Sequence, residues 1–122
     1  MPDTSAQPRF LPEDEVSVSR ARELVDAGEA WLLDVRENHE WEAGHAPAAH
    51  HIPLGELGAR QHELPEDRQL LVICLVGGRS RMVAQALIEA DYPAANVAGG
   101  MAAWQADGGQ VVRDDGTPGA IV

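Results

Sequence analysis

The feature that most constrains the fold is an apolar run that leads through two glycines into a helical pattern. Residues 70–76 are all apolar, Gly77 and Gly78 follow, and apolar residues recur at helical spacing over 79–90. Adjacent glycines let the backbone adopt positive φ, so we predict a tight turn between a buried strand and a helix. The only cysteine of the chain, Cys74, lies where this strand ends.

A cysteine at this position is expected to ionise easily. The turn can direct its backbone N–H groups at the sulfur, and the N-terminus of the following helix adds partial positive charge. Both effects lower the pKa of a thiol below the value of about 8.5 for free cysteine. The alternative is a buried structural cysteine, but the sequence Gly77-Gly78-Arg79-Ser80 favours a reactive one. We refer to residues 74–80 as the cysteine loop.

Short apolar runs alternate with helical patterns along the chain, which predicts an α/β domain with a mainly parallel sheet. The predicted strands are 15–16, 30–34, 50–52, 69–73 and 95–97. The predicted helices lie between Ser17 and Gly28, over 38–43, 54–62 and 79–90, and after Gly100, with Ser17 or Ser19 capping the first and Asn38 the second. We expect a flexible N-terminal arm (1–11), a folded domain (12–112) and a mobile C-terminal tail (113–122).

Parallel sheets bind ligands beyond the carboxyl ends of their strands. Four features are predicted to lie at those ends: Asp34 with Arg36, the His45 segment, the cysteine loop, and Gly99-Gly100. We therefore expect the sheet to gather them at one edge. Spacing alone leaves open whether Asp34 and Arg36 form a polar pair behind the cysteine loop or an exposed pair on the surface.

Composition excludes several classes of function. The formal net charge of −11 argues against a nucleic-acid or anionic-membrane partner, and an anionic substrate would need a local positive site. A single cysteine excludes an intramolecular disulfide and a thiolate zinc cluster. No run approaches the roughly 20 apolar residues of a membrane span, and the first residues lack a signal-peptide pattern, so a cytoplasmic location is predicted.

Histidines and tryptophans do not suggest a second site. His45, His50 and His51 are candidate metal ligands, but adjacent residues of a strand point to opposite faces. We therefore predict no metal and no cofactor. Three tryptophans are expected to pack in the core or at its rim, namely Trp31, Trp41 and Trp104.

Four sequence blocks resemble the rhodanese-like domains, the sulfurtransferase family. They are Leu33–Arg36 with Glu40-Trp41, Gly44–Ala49 running to Pro53, Cys74–Ser80, and Val97–Trp104. Together they span about residues 15–110 in the order typical of that family. The resemblance implies a three-layer fold, with a central, mostly parallel five-stranded sheet flanked by helices.

The resemblance also implies a reaction. Cys74 would take sulfane sulfur from a donor, thiosulfate or a persulfide, and pass it to cyanide, a thiol or a sulfur-relay protein. The substrate would lie against the rest of the loop, which comprises Leu75, Val76, Gly77, Gly78, Arg79 and Ser80. Backbone N–H groups of residues 75–79 would stabilise the sulfur anion, and Arg79 would orient an anionic donor. Asp34 and Arg36 would support the loop.

Two alternatives belong to other functional classes. Related phosphatases and arsenate reductases use a loop one residue longer than the six residues from Cys74 to Arg79, which disfavours that chemistry here. A non-enzymatic module that binds a sulfur species or a partner protein is the second alternative. The apolar Leu75 and Val76, where many active members carry a basic residue, favour the module. The intact Cys-x-x-Gly-x-Arg pattern favours the enzyme.

Overall fold

The computed structural model describes residues 10–122. Its strands are β1 (Glu15–Val16), β2 (Trp31–Asp34), β3 (His50–His51), β4 (Leu70–Ile73) and β5 (Ala94–Val97). Its α-helices are α1 (Val18–Asp26), α2 (Asn38–Ala43), α3 (Leu57–Arg60), α4 (Gly78–Glu89) and α5 (Gly100–Ala106). Most of the predicted N-terminal arm lies outside the described residues. At its end, Leu11 packs on the core, and its N–H donates to Gln69 Oε1 at 2.8 Å.

The strands form one five-stranded sheet in the order β1-β5-β4-β2-β3. Every neighbouring pair is parallel. All residues of β4 and β5 are buried, which explains why these strands consist of almost continuous apolar runs. The predicted α/β fold with a parallel sheet between helices is confirmed.

The core has two parts, one on each face of the sheet. Along β4, Leu71 and Ile73 face one cluster while Leu70 and Val72 face the other, as alternation in a strand requires. The first cluster also includes Ala21, Leu24, Met101 and Trp104 from α1 and α5. The second includes Val83, Ala84 and Leu87 from α4. The sheet is therefore the middle layer of three.

Two helix starts depend on side chains that cap the backbone. Ser17 Oγ accepts the N–H of Arg20 at 3.1 Å, so Ser17 and not Ser19 caps α1. Asn38, predicted to cap α2, is instead its first residue. The cap is Glu37, whose backbone is extended and whose N–H donates to the Glu40 carboxylate at 2.9 Å. A Glu three residues after the cap is half of a capping box, and it fixes this start.

The region between β3 and β4 contains less α-helix than predicted. The helix expected over 54–62 is a single α-helical turn, α3, between two 3-10 turns, Leu54–Glu56 and Gln61–Glu63. Within residues 10–122, no helix combines the length and apolarity needed to span a bilayer.

The C-terminal segment 113–122, predicted to be a mobile tail, has contacts with the domain. Val112 forms β-bridges with both His45 and Pro118, and the Ala120 N–H donates to Ala43 O at 2.8 Å. The segment can lie this close to Gly44 because glycine has no side chain. A Cβ at Gly44 would lie 2.7 Å from the Ala120 backbone. The side chain of Ile121 then packs against the core.

Candidate active site

The cysteine loop begins directly after β4 and ends in the first turn of α4. Cys74 is fully buried. Gly77 adopts φ 107°, in the region that favours glycine, and is the N-cap of α4. Gly78, expected to share this conformation, is already the first helical residue and does not have positive φ. One glycine is therefore enough to turn the strand into the helix.

Three groups lie within hydrogen-bond distance of the Cys74 sulfur. The Gly77 N–H lies 3.2 Å from Sγ, the Ser80 N–H 3.4 Å, and the Ser80 hydroxyl oxygen 3.2 Å. The free N–H groups at the start of α4 thus point at the sulfur, where the helix dipole is also favourable to an anion. Two of these donors belong to Ser80, one position beyond the stretch 75–79 expected to supply them.

These contacts decide how readily the thiol ionises. Burial is the largest influence and opposes the charged form. The hydrogen bonds from Ser80 and Gly77 outweigh it and hold the pKa of Cys74 below its ordinary value. The site is therefore arranged to carry negative charge on sulfur.

The start of α5 supports the loop from behind. The N–H groups of Met101 and Ala102 donate to the carbonyls of Cys74 and Leu75 at 2.8 and 3.0 Å. Gly100, at φ 59°, allows this contact, because a Cβ there would lie 2.4 Å from the Cys74 carbonyl oxygen. The predicted meeting of Gly99-Gly100 with the cysteine loop is thus observed. Because these loop carbonyls point at α5, the N–H groups of the loop are left to point at the sulfur.

Behind Ser80 lies Asn96, which the sequence analysis did not single out. The Ser80 hydroxyl has a single hydrogen and two acceptors within reach, Cys74 Sγ at 3.2 Å and Asn96 Oδ1 at 2.6 Å. Asn96 Nδ2 in turn donates to Glu15 Oε2 at 2.9 Å. Asn96 is 1% exposed in a strand that is otherwise apolar. The sequence offered one signal for this role, a single amide side chain within an apolar strand. Because buried polar groups are nearly always hydrogen-bonded, such a residue is expected to have a polar partner in the fold.

Asp34 and Arg36 form a buried ion pair, each with 0% exposure. Arg36 Nη2 lies 2.8 Å from Asp34 Oδ2, and Arg36 Nε lies 3.0 Å from Asp34 Oδ1. The guanidinium also donates to the carbonyls of Gly44 (2.9 Å) and Glu40 (3.4 Å). The pair therefore fixes α2 and the turn after it. Its described hydrogen bonds lead to α2 and not to the cysteine loop.

α2 in turn holds the loop arginine through Glu40. Arg79 Nη1 and Nη2 lie 2.7 and 2.9 Å from Glu40 Oε1 and Oε2, a bidentate pair. The hydrogen bond from the Arg79 side chain is the main cause that lowers the pKa of Glu40 to about 2. The same bond raises the pKa of Arg79. Glu40 appeared in the sequence only beside Trp41, without a predicted role.

The histidines are held by contacts elsewhere. Trp41 stacks with His45 and His51, with ring centroids 3.5 and 4.6 Å apart, and Trp31 stacks with His50 at 4.1 Å. His45 Nε2 lies 2.9 Å from a carboxylate oxygen of Asp114. The described hydrogen bonds of the His45 ring thus involve its own segment and the C-terminal one, not the cysteine loop. Among residues 10–122, no three His, Cys, Asp or Glu side chains are grouped to hold a metal.

Replacing Ser80 with alanine should raise the pKa of Cys74. The change removes the hydroxyl 3.2 Å from Sγ, whose hydrogen bond favours the thiolate. The rate of alkylation by iodoacetamide, measured against pH, should therefore have its inflection at higher pH than in the wild type. Ser19→Ala, at an exposed serine of α1, is the matched control and should leave the profile unchanged. An unshifted profile in Ser80→Ala would show that the hydroxyl does not act on the thiolate.

The comparisons with known proteins agree with this geometry. The Rhodanese family (rhodanese-like domain) matches residues 17–107. The chain is 36% identical over 94 residues to "Putative sulfurtransferase YtwF" of Bacillus subtilis, covering 76% of this chain and 91% of that protein. It is 39% identical over 92 residues to "Putative sulfur carrier protein YrkF" of the same organism, covering 74% of this chain but 50% of that protein. A crystal structure of a rhodanese-related protein from Thermoplasma volcanium superposes with a TM-score of 0.75, at 28% identity and with 80% and 96% of the two chains covered.

The fold is an α/β domain whose parallel five-stranded sheet places the Cys74 thiol among hydrogen-bond donors at its carboxyl edge. The family match covers most of the chain. The chain belongs to the rhodanese-like domain family.

Proposed function

We propose that this protein is a sulfurtransferase that carries sulfur as a persulfide on Cys74. Family membership and the similarity to YtwF support sulfur transfer as the general activity. The observation that carries the finer proposal is the sulfur of Cys74, buried among donors from Gly77 and Ser80, with a lowered pKa. A thiolate is the form of cysteine that attacks sulfur, and the same donors suit a persulfide anion.

The reaction has two halves. In the first, the Cys74 thiolate attacks the sulfane sulfur of the donor, forms a new S–S bond and releases sulfite from thiosulfate or a thiolate from a persulfide. In the second, cyanide or a thiolate attacks the outer sulfur, and the electron pair of the broken S–S bond returns to Cys74. With a single cysteine in the chain, the persulfide cannot be discharged as an internal disulfide. The acceptor is therefore a second molecule.

Within this proposal the neighbouring residues position the loop. The cysteine loop, with Leu75, Val76 and Gly78 at its surface, contacts the donor, while Gly77 and Ser80 donate to sulfur. Asp34 and Arg36 act at a distance, because they fix α2, whose Glu40 holds Arg79. This chain of contacts supports the predicted role of the pair as indirect support.

Intact-protein mass spectrometry tests the proposal. The protein is incubated with thiosulfate or, separately, with glutathione persulfide, and its mass is compared with that of the untreated chain. We expect the gain of one sulfur, removed again by cyanide. Absence of a gain with both donors would contradict the carrier mechanism and favour a binding module.

The binding module is the second candidate because of one surface feature. Val76, at the tip of the cysteine loop, is 67% exposed. It could contact a partner protein, and the relative named as a sulfur carrier supports a sulfur-relay partner in either case. A thiol with an ordinary pKa and no sulfur uptake would favour this candidate over the enzyme.

A further inference from the structure

The positive charge of the cysteine loop is neutralised within the protein. Arg79 is the only cation of the loop, and both of its terminal nitrogens are bonded to the Glu40 carboxylate at 2.7 and 2.9 Å. The Glu40 side chain is 8% exposed and has a pKa of about 2, so it stays ionised at neutral pH. At the active site the pair is therefore close to neutral in net charge.

The other arginines on the adjoining elements are also paired with carboxylates. Arg36, after β2, is paired with Asp34, and Arg81, in the first turns of α4, lies 2.8 Å from Glu15 Oε2. Along β2–α2 and along α4, as far as the structure describes them, each arginine has a carboxylate partner. The chain as a whole carries a formal charge of −11, so its long-range field repels anions.

We propose that Glu40 is a specificity-determining residue: by neutralising Arg79, it selects organic hydropersulfides as sulfur donors over dianionic thiosulfate. The inference rests on the proposed sulfurtransferase function. Thiosulfate brings two negative charges to the thiolate and leaves as sulfite, also a dianion, so it needs a local cation throughout the transfer. The persulfide group of an organic donor carries at most one negative charge, and the donor leaves as a thiolate.

The surface of the loop fits the organic donor. Leu75 is half-buried and Val76 is 67% exposed, so apolar side chains follow Cys74 directly in the chain. The transfer is balanced without a further reactant. The Cys74 thiolate and R–S–SH give the Cys74 hydropersulfide and R–S⁻, as the S–S bond of the donor breaks and a new one forms.

The test uses Glu40→Gln, which removes the carboxylate charge but keeps an oxygen that can accept the Glu37 N–H. Rate constants for loading sulfur onto Cys74 are measured by mass spectrometry with thiosulfate and with an alkyl hydropersulfide. We expect the thiosulfate rate constant, divided by the hydropersulfide rate constant, to rise about tenfold, which is the size of effect expected when one charge near the site is no longer neutralised. This rise in the ratio should be absent in the double variant Glu40→Gln/Arg79→Gln, because it requires the guanidinium of Arg79.

Glu42→Gln is the matched control. Glu42 is an exposed residue of the same helix, so the substitution removes the same charge from α2 at a solvated position. The ratio should stay within about twofold of the wild-type ratio, since exposed charges are well screened. A rise as large as that in Glu40→Gln would mean that the overall charge, and not the Glu40–Arg79 pair, determines the selectivity.

A measurement on the wild type alone keeps the inference testable if Glu40→Gln does not fold. With Arg79 neutralised, the acidic protein repels thiosulfate, so added sodium chloride should accelerate thiosulfate loading by screening this repulsion. Slowing by salt would instead show that thiosulfate meets a net positive local field at the site, which a neutralised Arg79 does not provide. If both donors load sulfur but salt slows thiosulfate loading, or the ratio in Glu40→Gln does not rise, the specificity inference is wrong and the sulfurtransferase proposal stands. If neither donor loads sulfur, the proposed function itself fails.

Discussion

Replacing Cys74 with serine is expected to lower sulfur transfer by more than about 10³-fold, a loss typical of removing a catalytic nucleophile. Serine is close to cysteine in size, so it fits the fully buried position and keeps the donors from Gly77 and Ser80. What it lacks is an acidic thiol that can form a sulfur–sulfur bond. The effect should therefore be on chemistry and not on folding.

The measurement is turnover of either donor with cyanide or a thiol as acceptor, together with intact mass. Cys74→Ser should gain no sulfur and should unfold at a denaturant concentration close to that of the wild type. Met82→Leu is a suitable control, because it removes another sulfur in α4, from a side chain that is 65% exposed, and should leave transfer intact. Turnover that survives in Cys74→Ser would exclude the persulfide on Cys74.

The fold could be predicted because its signals are local. β4 and β5 are nearly continuous apolar runs of the length of a strand, and α4 shows helical spacing after a glycine that ends the turn. These local signals do not give the order of the strands in the sheet, β1-β5-β4-β2-β3. Local signals gave the wrong residue where two neighbouring residues could both cap a helix. At the start of α2 the cap is Glu37 and not Asn38.

The partners within the site could not be predicted in this way. Cys74, the loop residues and the Asp34–Arg36 pair are recognisable as a pattern, but Glu40 and Asn96 act on residues far away in the chain. Arg79 and Glu40 are 39 positions apart, and Ser80 and Asn96 are 16 apart. Sequence periodicity reports burial, not which buried polar groups face each other.

The contacts of the C-terminal segment could not be predicted for a related reason. Its Asp, Gly, Thr and Pro residues are typical of mobile segments, and no local pattern reveals that Gly44 leaves room for it. Composition indicates only the conformational preference of a segment in the absence of tertiary contacts. The contacts of Ala120 and Asp114 with residues near 43–45 depend on the surface already built by the rest of the chain.

The second large effect is expected from Asp34→Asn, which should lower the free energy of unfolding by about 3–5 kcal/mol, as for other buried pairs that lose one partner. Asn is similar in shape, but it leaves the Arg36 guanidinium buried, at 0% exposure, without an anion. The amide also replaces one of the acceptors that bond to Arg36 Nε and Nη2. Unfolding by urea, followed by circular dichroism, measures the change.

Two controls separate the lost pair from other causes. Glu23→Gln breaks the exposed ion pair of α1, whose side chains are 53% and 67% exposed, and should cost less than about 1 kcal/mol. The double variant Asp34→Leu/Arg36→Met removes both charges and should recover part of the stability lost in Asp34→Asn, since no buried charge remains unpaired. It does not recover the contribution of the Arg36 hydrogen bonds to the Gly44 and Glu40 carbonyls. A loss in Asp34→Asn no larger than that in Glu23→Gln would contradict a buried, mutually dependent pair. The support it gives to α2, and through Glu40 to Arg79, would then have to come from elsewhere.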